Sequence, residues 1–203
     1  MDDRELLTRW SGGDPGAGEQ LFERYFETVC RFFANKVASG IEDLVQQTFL
    51  ACLEGASRFR GESAVRGWLL GIANNVLRNH YTAQRRAPVP FEGLSVEDLA
   101  PSVSRMLHLA QSHEALLGAL RRVPIDMQVV LELYFWEDMS GPEIAATLSL
   151  PEGTVRSRLR RGRELLAERL GDHAAAGAPV RETRDDLERW SAELRARALP
   201  VRA

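Results

Sequence analysis

Apolar residues recur at three- and four-residue spacing along most of the chain, whereas the alternation typical of strands is scarce. The pattern predicts a short first helix at Leu6–Trp10, and then three longer helices over about 21–37, 44–53 and 63–84. Glycine, serine and proline clusters separate these predicted helices. The first 86 residues are therefore expected to form an N-terminal helical bundle.

A break in this pattern follows the bundle. Residues 87–104 contain three prolines and several acidic residues, which is typical of a flexible linker. Helical spacing resumes over 105–170, and residues 171–203 form an extension. The predicted fold class is all-α, with two small helical domains joined by a flexible linker and followed by a C-terminal helical tail.

A helix-turn-helix is predicted in the second domain. Ser140 and Glu143 have the spacing of a capping box, in which each side chain bonds the backbone amide of the other residue. Ser149–Gly153 is predicted to form the turn, and Thr154 is expected to be the N-cap of the next helix. The order of cap, helix, turn and cap is typical of a DNA-reading unit.

The second helix of this unit is strongly basic. Between Arg156 and Arg163 there are five arginines and no carboxylate, although the whole chain has a net charge of −3. An arginine face of this kind suits phosphates and guanine edges. A solvated basic face on an amphipathic helix is the alternative interpretation, and the successive caps favour DNA binding over it.

The remaining composition restricts the other function classes. No apolar run approaches the length of a membrane-spanning helix, and the first residues lack a signal-peptide core, so a cytoplasmic protein without membrane insertion is expected. Cys30 and Cys52 lie in apolar helical patterns and are expected to be buried thiols. The four histidines have no metal-ligand spacing, and we expect no catalytic residue, metal or cofactor.

Three stretches, residues 42–50, 58–75 and 140–170, together resemble the sigma factors of the extracytoplasmic-function (ECF) type. Three motifs in the family's order are more specific than any one of them. The resemblance covers roughly residues 1–170. It implies that residues 1–86 bind core RNA polymerase and the −10 promoter element, and that residues 105–170 read the −35 element.

The resemblance also implies roles for individual residues. Those expected to bind core polymerase are Asp43, Leu44, Val45, Gln47 and Phe49. Those expected to act in melting the −10 region are Phe59 and Asn75, which would capture an extruded base, and Arg78 and Asn79, which would hold the strand backbone. Those expected to contact the −35 element are Thr154, Arg156, Ser157, Arg158, Arg160, Arg161 and Arg163.

Structural interpretations of the same residues stay open on the sequence alone. Phe59 would serve equally as a loop anchor packed on the core, and Asn75 as a surface amide. Asp43 and Gln47 share a helix face, which is also typical of a solvated edge. Only the resemblance favours a functional role for each of these residues.

The predicted function is a sigma factor that binds core RNA polymerase, recognises −35 and −10 elements and melts the −10 region. Its expected partners are core polymerase and promoter DNA, and an anti-sigma factor by analogy with many family members. The alternative is a free-standing helix-turn-helix regulator, which would bind its operator tightly without polymerase. A nucleic-acid enzyme is disfavoured because neither a phosphate-binding glycine loop nor a nucleophile motif is present.

The sequence departs from the family pattern at several positions. Asp138 stands where the family usually has glycine, and Asp tolerates a left-handed turn better than most residues. Glu152 lies beside the predicted reading helix, where its carboxylate would repel a phosphate or accept from a cytosine amino group. In the extension, Leu187, Trp190 and Leu194 form a narrow apolar stripe, which predicts either a docked amphipathic helix or a frayed end.

Overall fold

The computed structural model describes residues 1–59, 61, 64–83, 93–96 and 111–174, and in these ranges its regular structure is helical. The all-α prediction is confirmed. The only β-type pairing among the described residues is an isolated antiparallel bridge between Ser95 and Pro124. The helices are α1 (Asp3–Ser11), α2 (Pro15–Ala34), α3 (Ile41–Gly55), a 3-10 turn (Ala56–Arg58), α4 (Val65–Ala83), α5 (Gln111–Arg121), α6 (Ile125–Phe135), α7 (Gly141–Leu148) and α8 (Glu152–Ala174).

Helices α1 to α4 form the N-terminal half. The side chain of Asp14 caps α2 by accepting from the amides of Gly16 and Ala17 at 3.0 and 3.3 Å. Helix α1 packs closely on α2, and a Cβ at Gly18 would overlap the Trp10 indole. The apolar faces of α2, α3 and α4 then meet in one core. The two cysteines are buried and free, as predicted.

Helices α5 to α8 form the C-terminal half, and the predicted capping box is present at the start of α7. The Ser140 amide donates to Glu143 Oε2 at 2.8 Å, and the Glu143 amide donates to Ser140 Oγ at 3.4 Å. Asp138, just before this cap, has a φ of 54° and so adopts the left-handed conformation expected of it. Ser149, with a φ of 53°, makes the turn between α7 and α8.

Two boundary predictions are wrong. Thr154 is not an N-cap, because α8 already begins at Glu152, and the amides of Thr154 and Val155 donate to the Pro151 carbonyl at 2.9 and 3.2 Å. Helix α8 also continues past the predicted end of the second domain at residue 170, through Gly171 to Ala174. One glycine costs a helix only about 1 kcal/mol, and the packed turn that ends at Leu170 supports its continuation.

The two halves pack against each other. One apolar cluster combines residues of α2 and α4 with residues of α6 and α7, among them Val129, Leu133 and Ile144. Part of the predicted linker joins this contact: the Leu94 carbonyl accepts from the Ile125 amide at 2.8 Å, and Val96 is fully buried. The rest of that linker and the predicted tail helix lie outside the described residues.

The capping box generates a stability prediction. Ser140→Ala removes the acceptor of the Glu143 amide and should lower the free energy of unfolding by about 1 kcal/mol. Urea denaturation followed by circular dichroism measures this change. Thr8→Ala is the matched control, since that exposed hydroxyl donates to the Arg4 carbonyl inside α1 and caps nothing. Equal stabilities of the two variants would contradict the assigned role of the cap.

Candidate nucleic-acid interface

The N-terminal half of α8 presents a polar, cationic surface. Arg156, Ser157, Arg160 and Arg161 are exposed there, while Val155 on the opposite side is buried against the core. Arg160 and Arg161 both pair with Glu164, at 3.1 and 3.2 Å. Exposed pairs of this kind are weak and exchange readily for a phosphate. This surface can therefore meet nucleic acid without rearrangement of the backbone.

Two of the predicted DNA-binding arginines point toward the protein instead. The Nε atom of Arg158 lies 3.1 Å from Oδ2 of Asp126 on α6, and its side chain is 14% exposed. The guanidinium of Arg163 stacks over the rings of Tyr134 and Phe135, at 5.0 and 5.1 Å from their centroids. Both contacts orient α8 on α6. The basic stretch of the sequence thus divides into an outward set and a set that supports the helix.

A second polar surface lies on α4. Asn75, Arg78 and Asn79 are exposed and fall at positions i, i+3 and i+4, so they share one face of the helix. Asn74, next to them, is buried. The structure therefore brings together three of the four residues predicted to act on the −10 region.

Phe59 lies in the segment before α4 and stacks on Trp68, with the ring centroids 5.0 Å apart. Arg4 approaches the same ring at 6.0 Å and donates to the Gly61 carbonyl at 3.1 Å. Trp68 precedes Asn75 by seven residues, which is two helical turns, so Phe59 is held on the face of α4 that carries Asn75. The phenyl ring is half-buried and keeps part of its surface free.

A third surface is the groove between α2 and α3. Of the residues predicted to bind polymerase, Asp43 and Gln47 are exposed at its rim, and Leu44, Val45 and Phe49 are buried. Val45 and Phe49 nevertheless line the groove wall, whereas Leu44 packs in the core.

Sequence reasoning missed the apolar centre of this groove. Phe22 is 40% exposed and Leu50 is 56% exposed, and both line it. The Phe22 ring stacks on Phe49 with centroids 4.8 Å apart. Phe22 fits the apolar stripe of α2, and only its position relative to α3 reveals that it is exposed. Trp68 likewise fits an ordinary apolar stripe on α4, so the sequence did not indicate that it supports Phe59.

Each half of the chain matches the model of a known protein family. Residues 21–87 match the model for sigma-70 region 2, and residues 113–166 match the model for sigma-70 region 4. The first match contains the α2–α3 groove and the polar face of α4. The second contains the helix-turn-helix and the exposed arginines of α8.

Characterised relatives match most of the chain. The ECF RNA polymerase sigma-E factor of Haemophilus influenzae is 33% identical over 183 residues, which cover 84% of this chain and 96% of that protein. The sigma-E factor of Escherichia coli K12 is 30% identical over 181 residues, which cover 84% and 95%. The chain belongs to the ECF sigma factors.

Solved structures agree with the fold of this sigma factor. CnrH, in complex with the cytosolic domain of CnrY, matches with a TM-score of 0.54 and 25% identity over 87% of this chain and 99% of that chain. The sigma factor RpoE of Bartonella quintana, in complex with the anti-sigma factor NepR, matches with a TM-score of 0.58 and 22% identity over 75% and 96%. The second likeness is one of fold alone.

A sigma factor directs transcription initiation and is not an enzyme. Its chemistry is non-covalent, which agrees with three surfaces made of arginines, amides and aromatic rings. Within the described ranges there is no group of three acidic, histidine or cysteine side chains suited to a metal ion. In the same ranges no helix is long and apolar enough to cross a membrane.

The division among the arginines of α8 generates a prediction. Arg158→Ala leaves Asp126, whose side chain is 8% exposed, without this partner, and should lower the free energy of unfolding by about 1–3 kcal/mol. Arg156→Ala is the matched control, because Arg156 is exposed on the same helix and should change stability by less than about 0.5 kcal/mol. Thermal or urea unfolding distinguishes them, and indistinguishable curves would mean that the ion pair does not support α8.

Proposed function

We propose that the three surfaces divide the work of initiation. The α8 surface reads the −35 element, the α4 face with Phe59 captures an unpaired base of the −10 element, and the α2–α3 groove binds core RNA polymerase. The observation that carries this proposal is the outward set of arginines on the N-terminal half of the second helix of a capped helix-turn-helix.

On α8, the exposed side chains support different roles by position. A second helix that enters the major groove with its N-terminal half brings Arg156 and Arg160 toward base edges, with Thr154 and Ser157 beside them. Arg161 lies on the flank, where a phosphate contact suits it. Arg158 and Arg163 serve the same interface mainly by holding α8 on α6.

On α4, base capture needs a stacking surface and hydrogen-bonding groups on one face. Phe59 supplies the ring, already oriented by Trp68, and Asn75 supplies both a donor and an acceptor for a base edge. Arg78 and Asn79 are placed one turn further along to hold the strand backbone. Unstacking a base from the duplex costs a few kcal/mol, and contacts of the base with this face would offset that cost.

In the groove, an exposed apolar centre bordered by Asp43 and Gln47 has the composition of a protein-binding site. Polymerase bound there would tether both DNA-reading surfaces. Tethering makes the second DNA contact intramolecular and can raise affinity by roughly 10² to 10⁴. An acidic chain with a net charge of −3 can then be promoter-specific.

Two further assignments follow from the relatives. CnrH and RpoE were both solved with regulatory partners, and we assign this sigma factor an anti-sigma partner of its own. The cytoplasm, where core polymerase and promoter DNA are found, is its proposed location.

Binding of core polymerase tests the assignment as a whole. The chain should co-elute with core enzyme in gel filtration and direct initiation in vitro from a library of upstream sequences. The Phe22→Ser and Leu50→Ser variants should weaken co-elution because they remove the apolar centre of the groove. Nanomolar operator binding by the free protein, without co-elution, would favour a free-standing regulator instead.

Base reading by α8 has its own signature. Arg156→Ala and Arg160→Ala should each weaken the free energy of promoter binding by about 1–3 kcal/mol and relax specificity at one promoter position. Arg161→Ala should weaken all promoters alike and reduce the salt slope by about one. Transcription from a promoter library at several salt concentrations separates these outcomes. Uniform losses for Arg156→Ala and Arg160→Ala would overturn their assignment as base readers.

Melting is tested with templates already open at the −10 region. Phe59→Ala and Asn75→Ala should initiate poorly on duplex promoters and recover on the open template, because their contacts form only with an unpaired base. Thermal unfolding of each variant provides the control. Normal opening rates combined with a lower melting temperature would show that Phe59 is only a packing residue.

A further inference from the structure

The ion pairs between the two halves all have the same direction of charge. On the N-terminal side are three cations, Arg31, Lys36 and Arg66, and their carboxylate partners on the C-terminal side are Glu132 and Glu137. The buried Arg121 of α5, on the C-terminal side, also interacts with the charge of Glu132. Lys36 pairs with Glu132. Glu137 accepts from Arg31 at 2.8 Å and lies 3.7 Å from Arg66. Every one of these ion pairs joins a residue before position 84 to a residue of the C-terminal half.

Lys36 is the only lysine of the chain, and its side chain is fully buried. Its ammonium donates to Glu132 and, at 2.7 Å, to the Phe32 carbonyl, and lies 4.1 Å from the centre of the Phe32 ring. The side-chain amide of Gln128 also donates to the Glu132 carboxylate, at 2.8 Å. Burial lowers the pKa of Lys36, and the charge of Glu132 acts in the opposite direction. The lysine is therefore compatible with this position mainly because Glu132 reaches it from the other half.

A buried ion pair between two domains differs from an apolar contact. Its desolvation offsets most of its Coulombic attraction, so it adds little to net affinity. When the domains separate, both charges regain water and neither remains stranded. When one partner is removed in the closed arrangement, the other charge stays buried without compensation. Such a contact specifies one arrangement of the halves and still permits them to part.

Backbone proximity makes the arrangement specific as well. Helix α4 lies so close to α7 that a Cβ at Gly71 would be 2.5 Å from the Thr147 carbonyl oxygen. A Cβ at Gly67 would be 2.8 Å from Thr147 Oγ1. Glycine in a helix interior is unfavourable for the helix itself, so these two positions indicate close packing of α4 on α7.

The closed arrangement is too small for a promoter. A compact chain of 203 residues has a radius of gyration of about 17 Å and a diameter of roughly 45 Å. The −35 and −10 elements are centred about 25 base pairs apart, which is roughly 85 Å of duplex at about 3.4 Å per base pair. The surfaces on α4 and α8 cannot reach both elements while α4 packs on α7.

We propose that the buried Lys36–Glu132 pair is the contact that specifies the closed packing of the two halves, and that this packing must open before the protein can initiate transcription. The proposal rests on the assignment of the two DNA-reading surfaces. A closed population lowers the apparent affinity for a promoter by the fraction of open molecules. The interdomain contact thereby sets a threshold that polymerase or another partner has to overcome.

A reversible cross-link tests the requirement for opening. Gly67→Cys combined with Thr147→Cys places two sulfur atoms where the Cβ-to-oxygen approach of 2.8 Å permits a disulfide. Burial raises the pKa of Cys30 to about 11 and that of Cys52 to about 12, which keeps the native thiols unreactive at neutral pH.

The double variant is oxidised, freed of oxidant and assayed with core polymerase on a duplex promoter. We expect at least about a tenfold loss of initiation, restored by dithiothreitol, while each single variant is indifferent to redox state. Equal initiation by the oxidised and reduced forms, or failure of the disulfide to form, would overturn the proposal. If the reduced variant and the wild-type protein also fail to initiate, the fault lies with the proposed function.

A substitution that creates a steric clash between α4 and α7 tests the closed state by opening it. Gly71→Ala favours α4 as a helix but places a methyl group against the Thr147 backbone. Small-angle X-ray scattering should give a larger radius of gyration, and initiation at limiting protein should rise. Gly16→Ala is the control, because its Cβ would meet Asp14 at an ordinary 3.5 Å. An unchanged radius for Gly71→Ala would count against the closed state.

Charge variants test the role of the ion pair. Glu132→Gln leaves Lys36 facing a neutral amide and should increase the radius of gyration, while circular dichroism shows unchanged helix content. Lys36→Met combined with Glu132→Leu removes both charges and should return the chain to the compact form. A Glu132→Gln protein as compact as the wild type would show that this pair does not control the packing of the two halves.

Discussion

The charge of Lys36 constrains the whole arrangement of this sigma factor. A fully buried ammonium needs a counter-charge, and Glu132, 96 positions further along the chain, provides it. Glu132 is itself oriented by Gln128, one turn earlier on α6, and the neighbouring carboxylate of Glu137 reaches Arg31. The position of α6 against α2 is thereby fixed by charge, and apolar packing of α4 on α7 fills in around it.

The two proposed DNA-reading surfaces are arranged around this interdomain contact. Helix α4 packs on α7 through Gly67 and Gly71 and presents Asn75, Arg78 and Asn79 further along the helix. Helix α8 is held on α6 by Arg158 and Arg163, which leaves its other arginines exposed. Each of these two helices therefore has one part packed against the protein and one exposed polar part that is available for the proposed contact with nucleic acid. Because the first part is fixed by packing, the second is a defined surface for recognition.

Much of this was accessible from the sequence because it is local. Helical periodicity, the Ser140–Glu143 cap and the left-handed Asp138 each depend on neighbouring residues, and all three were confirmed. The start of α8 was misjudged because Thr154 is a good cap by type, whereas the Pro151 carbonyl already accepts from two amides of the first turn. Composition could not indicate which arginine turns inward, since only the position of Asp126 on α6 selects Arg158. No periodicity of the sequence relates Lys36 to Glu132, and the packing of the two halves could therefore not be predicted from the sequence.

The distance between the two halves in solution is the most direct measure of this account. Spin labels on exposed cysteines introduced by Glu54→Cys on α3 and Glu168→Cys on α8 would report it by pulsed dipolar spectroscopy, because the native thiols are buried. The free protein should give one short, narrow distance distribution, and the complex with core polymerase and promoter should give a distribution tens of ångströms longer. The same distribution in both states would contradict the account.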